Sequence, residues 1–479
     1  MGKKEEFVKE ITNIEDDFAQ WYTDIVRKAE LADYTDTKGC IAIRPYGYAI
    51  WENIQNYADK LFKEVGVTNL YMPVLIPESM LEKEKDHVEG FAPEVAWVTM
   101  GGGEELEERL CIRPTSETMM STMYAKWVKS WRDLPILGNQ WCNVLRWEKE
   151  TRPFLRSREF LWQEGHTVHE TAKEAEERTL MMLDIYADVI ENLLAIPVLK
   201  GRKTKKEQFA GADATYTVET MMHDGRALQA GTSHYFGQNF TKPFEIKFQN
   251  REGKEEYAYQ TSWGISTRLI GAVIMAHGDN RGLKLPPRVA PIQAVIVPIA
   301  QHKEGVLEKV TEIYNGLNKK FRMKLDDRDN YSTGFKFNDW EMRGVPVRIE
   351  IGPRDLENNQ AVLVRRDSGE KEVVELSKLD ERLESLLEEI QKDMFNCCKE
   401  RRVEKTKVAT TLDEMIKLMN EDQCFLKTMW CEDVECENKI KELTGAHSRC
   451  IPFEQEHLSD VCPVCGKKAT KMVVWGRQY

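Results

Sequence analysis

The sequence lacks any long uninterrupted hydrophobic run. No segment reaches the roughly 18 apolar residues that a membrane-spanning helix requires, so we expect no transmembrane segment and no membrane partner. The first residues, from Met1 to Glu6, are largely charged and are not followed by the apolar stretch of a secretory leader. We therefore expect a cytoplasmic protein.

The sequence also lacks an excess of positive charge. Its 68 Lys and Arg residues face 80 Asp and Glu residues, so the net charge is −12. Such a chain is not expected to coat nucleic acid by its overall charge, although local basic patches stay open. A hydrophobic content of 41% excludes a disordered chain, and 479 residues predict about three domains.

Eleven cysteines remain to be explained, and without secretion they are expected to be thiols or metal ligands. Two close pairs, Cys431 with Cys436 and Cys462 with Cys465, suit a tetrahedral zinc site. Four thiolates leave no open coordination position, so the predicted role is structural. Cys450 is an alternative ligand, and four ordinary thiols are the alternative to a metal site.

The pattern of elements predicts three regions. Residues 1–285 combine antiparallel strands with flanking helices, an α+β arrangement. After the proline-rich joint at 285–291, residues 286–400 read as a compact α/β domain, and residues 401–479 hold the paired cysteines. Within the first region we predict helices over 48–65 and 172–194 and strands over 70–77, 136–150 and 157–169.

Several polar groups in the first region have the chemistry of a binding pocket. Thr115 and Glu117 can accept hydrogen bonds from an ammonium-like group, although taken alone they are better explained as a helix start, with a hydroxyl cap and a glutamate in the first turn. Arg146 and Glu148, two residues apart on a predicted strand, would share one face and could contact a phosphate and an adenine amino group. Phe160 offers a stacking surface, or these residues form an exposed ion-pair lattice.

Two further patterns point to the same kind of site. Trp162, Glu164 and His166 alternate along one predicted strand and so share a face that suits a small cationic ligand; the alternative is structural hydrogen bonding. Gly231 allows close approach of the backbone to a ligand. Arg268 opens a predicted helix, where an anion is favoured.

Together these motifs resemble the class II aminoacyl-tRNA synthetases, and specifically the prolyl-tRNA synthetase family. The helix at 48–65 and the strand ending at Pro73 resemble motif 1 of this class. The segment from Arg146 to Phe160 resembles motif 2, and Gly264 to Arg268 with the following helix resembles motif 3. The resemblance implies a class II antiparallel-sheet catalytic domain over 1–285, an anticodon-binding domain over 286–400 and a C-terminal zinc-binding domain over 401–479. It implies attachment of L-proline to tRNA(Pro) through a prolyl-adenylate, with release of AMP and pyrophosphate.

The resemblance also implies residue roles, with Arg146 and Arg268 as the catalytic pair. The proline site would comprise Thr115, Glu117, Arg146, Trp162, Glu164, His166, Phe209, Ser233 and His234. The ATP site, which would also hold Mg²⁺ near Gln229, would comprise Arg146, Glu148, Arg156, Ser157, Phe160, Gln229, Thr232, Ser266 and Arg268. Anticodon bases would be read by Glu341, Arg348 and Arg354, and zinc would be bound by Cys431, Cys436, Cys462 and Cys465.

The family pattern carries further expectations. A homodimer built through motif 1 is implied, and Tyr479 is expected to turn back toward the active site. Only about sixty residues separate His166 from Gln229, so the large editing insertion of bacterial-type members is not expected. A sister synthetase for threonine is disfavoured because Cys111 and Cys142 lack the matching histidines. A non-catalytic relative would be expected to have lost Arg146 or Arg268.

Overall fold

The computed structural model describes residues 10–82 and 95–479. Its α-helices are α1 (Phe18–Lys28), α2 (Pro45–Glu64), α3 (Glu78–Glu82), α4 (Glu117–Trp127), α5 (Ala172–Asp188), α6 (Arg268–His277), α7 (Val306–Leu317), α8 (Thr333–Met342), α9 (Pro353–Glu357), α10 (Leu379–Glu404), α11 (Leu412–Glu421) and α12 (Val434–Thr444). Short 3-10 helices lie at Trp131–Asp133 and Leu376–Lys378. Among the described residues, none of these helices combines the length and the apolar character needed to cross a bilayer.

The strands form one large sheet and several small ones. They are β1 (Ala32–Tyr34), β2 (Ile41–Ile43), β3 (Thr68–Asn69), β4 (Leu75–Pro77), β5 (Ala96–Gly101), β6 (Glu104–Ile112), β7 (Ile136–Leu145), β8 (Glu159–His169), β9 (Val198–Arg202), β10 (Ala214–Met221), β11 (Ala227–Gly237), β12 (Lys247–Gln249), β13 (Glu255–Tyr257), β14 (Tyr259–Ser266), β15 (Ala294–Pro298), β16 (Met323–Leu325), β17 (Val347–Ile351), β18 (Gln360–Arg365), β19 (Lys371–Glu375), β20 (Thr406–Val408), β21 (Phe425–Trp430), β22 (His447–Pro452) and β23 (Lys471–Gly476).

The large sheet has eleven strands in the order β20-β21-β23-β22-β9-β10-β11-β14-β8-β7-β3. From β9 to β7 every neighbouring pair is antiparallel. This confirms the antiparallel class II sheet that the sequence resemblance implied. Strand β3 joins the end of the sheet in parallel with β7.

An aromatic core supports one face of this sheet. The ring of Phe62, from α2, lies 5.2 Å from the ring of Trp263 on β14, and Tyr186 of α5 packs against both. Gly165 of β8 faces Trp263 so closely that a Cβ atom would lie 2.2 Å from the indole ring. Glycine is therefore required there, and the strand on either side of it carries two polar site residues, Glu164 and His166.

Residues from β15 to α10 build a second sheet in the order β16-β15-β17-β18-β19. Strands β16, β15 and β17 are parallel, and β18 and β19 add antiparallel partners. Apolar side chains of α7 and α10, including Val310 and Leu383, are buried against it. This is the α/β arrangement predicted from the alternation of strands and helices.

The C-terminal strands continue the large sheet rather than forming a separate one. Strand β22 pairs with β23 on one side and with β9 on the other, with Ile451 opposite Arg202 and Pro452 opposite Gly201. Gly201 permits this close pairing, since a Cβ atom there would lie 2.4 Å from the Ile451 carbonyl oxygen. The C-terminal region is thus joined to the first region through backbone hydrogen bonds.

The predicted strand over 70–77 was wrong as a single strand. Strand β3 ends at Asn69 and β4 begins at Leu75, and they pair with different partners, β7 and β6. Pro73 interrupts the run because it has no N–H group and a fixed φ angle. The Met72 N–H donates instead to the side-chain oxygen of Gln140, at 2.9 Å.

Two other boundaries also differ. The helix predicted over 172–194 ends at Asp188 and continues as a π-helical turn, Val189–Leu193. Strand β7 ends at Leu145, so Arg146 and Glu148 follow the strand instead of sharing one of its faces. The alternation argument for that pair was wrong, because the motif 2 loop begins earlier than the apolar pattern indicated.

Candidate active site

One pocket opens at the face of the sheet formed by β8, β11 and β14. Its volume is about 270 Å³. Most of the residues predicted for the proline and ATP sites line it, namely Thr115, Glu117, Arg146, Phe160, Trp162, Glu164, Phe209, Gln229, Thr232, His234, Ser266 and Arg268. The strands bring them together because side chains two residues apart on β8, β11 and β14 project to the same side.

A buried carboxylate organises one end of the pocket. Glu164 accepts hydrogen bonds from the Ser116 N–H at 3.0 Å, from Gln140 Nε2 at 2.7 Å and from His166 Nε2 at 3.0 Å. All four residues are buried. Three elements, the start of α4 and strands β7 and β8, are therefore tied to a single side chain.

The charge of this carboxylate is held in place by its donors. Burial alone would raise the pKa of Glu164, but the hydrogen bond from His166, the charge on that ring and the hydrogen bonds from Ser116 and Gln140 together lower the pKa to about 2. Glu164 is thus a permanent negative charge at neutral pH. Its effect is to favour a positively charged ligand at this end of the pocket.

Two further acceptors stand in front of Glu164. The Thr115 hydroxyl donates to Glu117, and the Ser262 hydroxyl lies 3.3 Å from the other oxygen of the Glu117 carboxylate. Ser116 is the residue that precedes α4, so Thr115 and Glu117 flank the start of that helix. The motif therefore does begin a helix and also lines the pocket, but the predicted hydroxyl cap is wrong, because Ser116 makes no side-chain capping bond and the Thr115 hydroxyl donates to Glu117.

The opposite end of the pocket is positively charged. The Arg146 guanidinium carbon lies 5.7 Å from the centre of the Phe160 ring and 5.4 Å from that of Trp162. Arg268 is the first residue of α6, and one of its Nη atoms donates to the Gln229 carbonyl oxygen at 3.3 Å. Arg156 lies near enough to Arg268 to repel it electrostatically.

Burial and the nearby positive charges shift the pKa of one arginine. Burial, followed by repulsion from Arg146 and Arg156, lowers the pKa of Arg268 to about 10. The guanidinium stays protonated at neutral pH, but its charge is poorly compensated. A polyanion bound at this end would supply the missing negative charge.

A largely aromatic wall lines the carboxylate end, where His234 of β11 lies opposite Ser262 of β14. The rings of Phe209 and His234 lie 4.9 Å apart. Burial, with a smaller contribution from the nearby His166 charge, lowers the pKa of His234 to about 3, so this imidazole is neutral. Its Nδ1 lies 3.0 Å from the Thr215 hydroxyl, which also accepts the Phe209 N–H.

Five predicted residues do not line the pocket: Glu148, Arg156, Ser157, His166 and Ser233. His166 lies behind Glu164. Ser233 points to the other face of the sheet, where its hydroxyl donates to the Thr179 carbonyl oxygen at 2.7 Å. Its neighbours Thr232 and His234 do line the pocket.

Sequence reasoning missed four polar lining residues: Glu207, Gln208, Thr215 and Ser262. Ser262 could have been found, because it alternates with Gly264 and Ser266 along β14. Glu207 and Gln208 lie outside the regular strands, so no periodicity marked them. Tyr479 does turn back to the first region, where its ring faces Phe18 and its hydroxyl donates to Asp224, but it does not line the pocket.

The residues predicted to read anticodon bases lie on and around β17, with Glu341 in α8, Arg348 near the start of β17 and Arg354 in α9 beyond its end. Arg348 donates to Glu341 at 3.1 Å and to Glu350 at 3.0 Å, and its guanidinium lies 3.9 Å from the centre of the Phe337 ring. Arg354 is exposed in α9. The stacked pair of Arg348 and Phe337 was not foreseen, since Phe337 reads as an ordinary helix residue.

The paired cysteines form a cluster that could hold a metal ion. The sulfur atoms of Cys431, Cys436, Cys462 and Cys465 all lie within 4.8 Å of one another. Cys431 Sγ is 3.6 Å from both Cys436 Sγ and Cys465 Sγ. A tetrahedral zinc ion with bonds of about 2.3 Å separates its sulfur ligands by about 3.8 Å. The geometry fits, whereas the alternative ligand Cys450 lies outside the cluster.

Comparison with known proteins covers nearly the whole chain. The model described as tRNA synthetase class II core domain (G, H, P, S and T) matches residues 97–277, an anticodon binding domain matches 293–386, and the model described as Prolyl-tRNA synthetase, C-terminal, matches 412–479. A protein named proline--tRNA ligase from Alkaliphilus oremlandii is 61% identical over 480 residues, covering 100% of both chains. One from Clostridium botulinum is 60% identical with the same coverage, and a proline--tRNA ligase 2 from Bacillus cereus is 60% identical over 99% of both chains.

The buried Glu164 carboxylate yields a test by pH. Both carboxylate oxygens of Glu164 accept hydrogen bonds. In Glu164→Gln one of these oxygens becomes an NH₂ group, which would point at another hydrogen-bond donor. We therefore expect a loss of about 3 kcal/mol of unfolding free energy at pH 7. Since the folded pKa lies below its usual 4.5, the difference from the parent should be fully present above about pH 4.5 and should shrink as the pH falls toward 2.

Urea denaturation of both proteins across this pH range measures the difference. Glu159→Gln is the matched control, because Glu159 is an exposed carboxylate on the same strand, and it should stay within about 0.5 kcal/mol of the parent. A Glu164→Gln difference that is constant down to pH 2.5, or as small as that of the control, would contradict the assigned charge.

Proposed function

Because the chain belongs to the prolyl-tRNA synthetase family, it catalyses the ATP-dependent attachment of proline to tRNA(Pro), and we propose how its side chains divide this work. One observation carries the proposal. The pocket has a carboxylate end, lined by Glu117 and Glu164, and an arginine end, lined by Arg146 and Arg268. Proline brings a cationic imino group and a carboxylate, and ATP brings phosphates, so the two ends match the two substrates.

At the carboxylate end, Thr115 and Glu117 accept the two N–H bonds of the proline imino nitrogen. Glu164 fixes the start of α4 behind them and adds negative charge. Trp162, Phe209 and His234 enclose the pyrrolidine ring, whose apolar carbons suit an aromatic wall. His166 and Ser233 act from outside the lining, His166 by holding Glu164 and Ser233 by holding β11 against α5.

At the arginine end, Arg146 contacts both the proline carboxylate and the α-phosphate of ATP. Phe160 stacks on adenine, and Glu148 accepts the adenine amino group. Arg156 and Arg268 bind the outer phosphates, while Ser157, Gln229, Thr232 and Ser266 complete the nucleotide site. Mg²⁺ is proposed to accompany the ATP phosphates near Gln229, in keeping with its preference for phosphate oxygens.

The chemistry needs positioning rather than a base. The proline carboxylate attacks the α-phosphorus in line, pyrophosphate leaves, and prolyl-adenylate forms. The nucleophile is already an anion, so the side chains must bring two anions together and neutralise the charge that spreads over the phosphate oxygens. A terminal hydroxyl of the tRNA then attacks the prolyl carbonyl and AMP leaves.

Binding of tRNA is proposed to use the second sheet. Glu341, Arg348 and Arg354 offer hydrogen-bonding groups of both kinds, and unstacked anticodon bases expose matching edges. The Arg348 guanidinium is already oriented by Glu341, Glu350 and the Phe337 ring. This supports base recognition by a preorganised side chain rather than by overall charge.

Zinc is proposed for the cysteine cluster, as a structural ion with four thiolate ligands. The spacing of the sulfur atoms and the small size of the region support it. We also propose a homodimer through the motif 1 region, supported by the exposed side chains of Tyr48, Tyr71 and Leu75. The proposed compartment is the cytoplasm, where tRNA and ATP meet.

Replacement of Arg146 tests the arginine end. Arg146→Ala should lower proline-dependent ATP–pyrophosphate exchange by about 10²- to 10³-fold, because one preorganised positive donor is lost from the transition state. Arg132→Ala, at an exposed arginine outside the pocket lining, is the control and should exchange like the parent. A normal rate in a folded Arg146→Ala protein would refute the assignment.

Replacement of a cysteine tests the metal. Cys462→Ser should reduce bound zinc from about one ion per chain to nearly none and should lower the thermal midpoint of unfolding. Cys397→Ser, at an exposed cysteine outside the cluster, should keep both values. Elemental analysis of purified protein gives the answer, and equal zinc content in the two variants would rule out the cluster as the ligand set.

A further inference from the structure

The pocket wall that contains Glu207, Gln208 and Phe209 belongs to the connection between β9 and β10. This connection is outside the regular strands, so the sheet ladder does not fix its shape. Side-chain contacts therefore contribute to its position. Two of them, at Thr204 and Glu207, come from the C-terminal region, more than 230 residues further along the chain.

Three consecutive residues of β22 hold this connection. His447 Nδ1 donates to Glu207 Oε1 at 3.2 Å. The Ser448 hydroxyl lies 3.1 Å from the Thr204 hydroxyl, and both of these hydroxyls donate to Glu437 of α12. The connection is therefore bound at Thr204 and again at Glu207.

The contacts between β22 and the connection are called the joint below. The third residue, Arg449, anchors this joint to β10 of the large sheet. Its Nε and Nη2 atoms donate to Glu219 Oε2 at 3.0 and 2.8 Å, and Lys203 Nζ donates to the other oxygen at 2.8 Å. Glu219 is fully buried, and burial alone would raise its pKa, but the charges of Arg449 and Lys203 and the hydrogen bond from Lys203 lower it to about 2. Separation of such a buried cluster would strand unpaired charges, so the joint is rigid.

His447 and Glu207 form the outer end of this joint, next to the pocket. Their side chains are 19% and 22% exposed, so this contact can be changed without disturbing the buried cluster. Glu207 is two residues from Phe209. The Phe209 N–H donates to the Thr215 hydroxyl, and its ring packs against the His234 ring. A shift of Glu207 would therefore be transmitted to the aromatic wall.

We propose that β22 positions the wall of the amino-acid pocket, and that His447, acting through Glu207, is a positioning residue for proline binding. The inference rests on the proposed function, because it takes the pocket's carboxylate end as the proline site. The nucleotide end does not depend on the same contact, since Arg146, Phe160 and Arg268 follow or belong to β7, β8 and α6.

The test is ATP–pyrophosphate exchange in full-length variants, with proline and ATP varied separately. His447→Ala should raise KM for proline about three- to tenfold, the effect of losing one partly exposed hydrogen bond, while KM for ATP and kcat change less than about twofold. His447→Asn should recover most of the affinity, because its amide NH₂ lies where Nδ1 was. A KM for proline that is unchanged in His447→Ala would overturn the proposal, as would equal rises in both KM values.

His457→Ala is the matched control. His457 is another histidine of the same region, bound at 3.0 Å to the carboxylate of Asp460, but it does not contact the connection. It should behave like the parent, and a rise in its KM for proline equal to that of His447→Ala would overturn the proposal.

A second variant separates positioning from folding. Glu207→Gln leaves β22 intact and should raise KM for proline to a similar extent, and the double variant His447→Ala/Glu207→Gln should be no worse than the poorer single variant. Additive effects would show that His447 does not act through Glu207. Absence of proline-dependent exchange in the parent itself would instead contradict the proposed function.

Discussion

The carboxylate of Glu164 is the interaction on which the pocket depends. It is buried and charged, and donors from the start of α4, from β7 and from β8 converge on it. A buried charge of this kind is stable only when its partners are in place. The same contacts that stabilise its charge therefore hold the start of α4, where Thr115 and Glu117 line the pocket, and the requirement for Gly165 beside Trp263 fixes the strand that carries it.

The opposite charges of the two pocket ends explain how an acidic protein can handle polyanionic substrates. The net charge of −12 describes the whole chain, but burial, followed by repulsion from Arg146 and Arg156, lowers the pKa of Arg268, which shows that positive charge is concentrated here. In the proposed division of roles, recognition depends on a few placed guanidinium groups. The proposed role of Arg348, which stacks on Phe337, extends this principle to the tRNA anticodon, where shape and base edges matter more than bulk charge.

The sequence predicted the fold class and most of the pocket because these depend on local patterns. The alternation along β8 identified Trp162 and Glu164, and a helix start identified Arg268. Prediction failed where tertiary contacts decide. Pro73 interrupts the apolar run 70–77, of which only Leu75–Pro77 is a strand, Ser233 turned to α5, and Glu207 contacts His447, a residue that no sequence pattern connects with it.

The central claim is that this pocket selects a cationic cyclic amino acid and joins it to ATP. ATP–pyrophosphate exchange with each of the twenty amino acids, at equal concentrations, tests this most directly. The account predicts exchange that depends on proline and is at least about tenfold weaker with amino acids whose side chains exceed the pocket. Exchange driven best by another amino acid, or an equal background with all twenty, would contradict it.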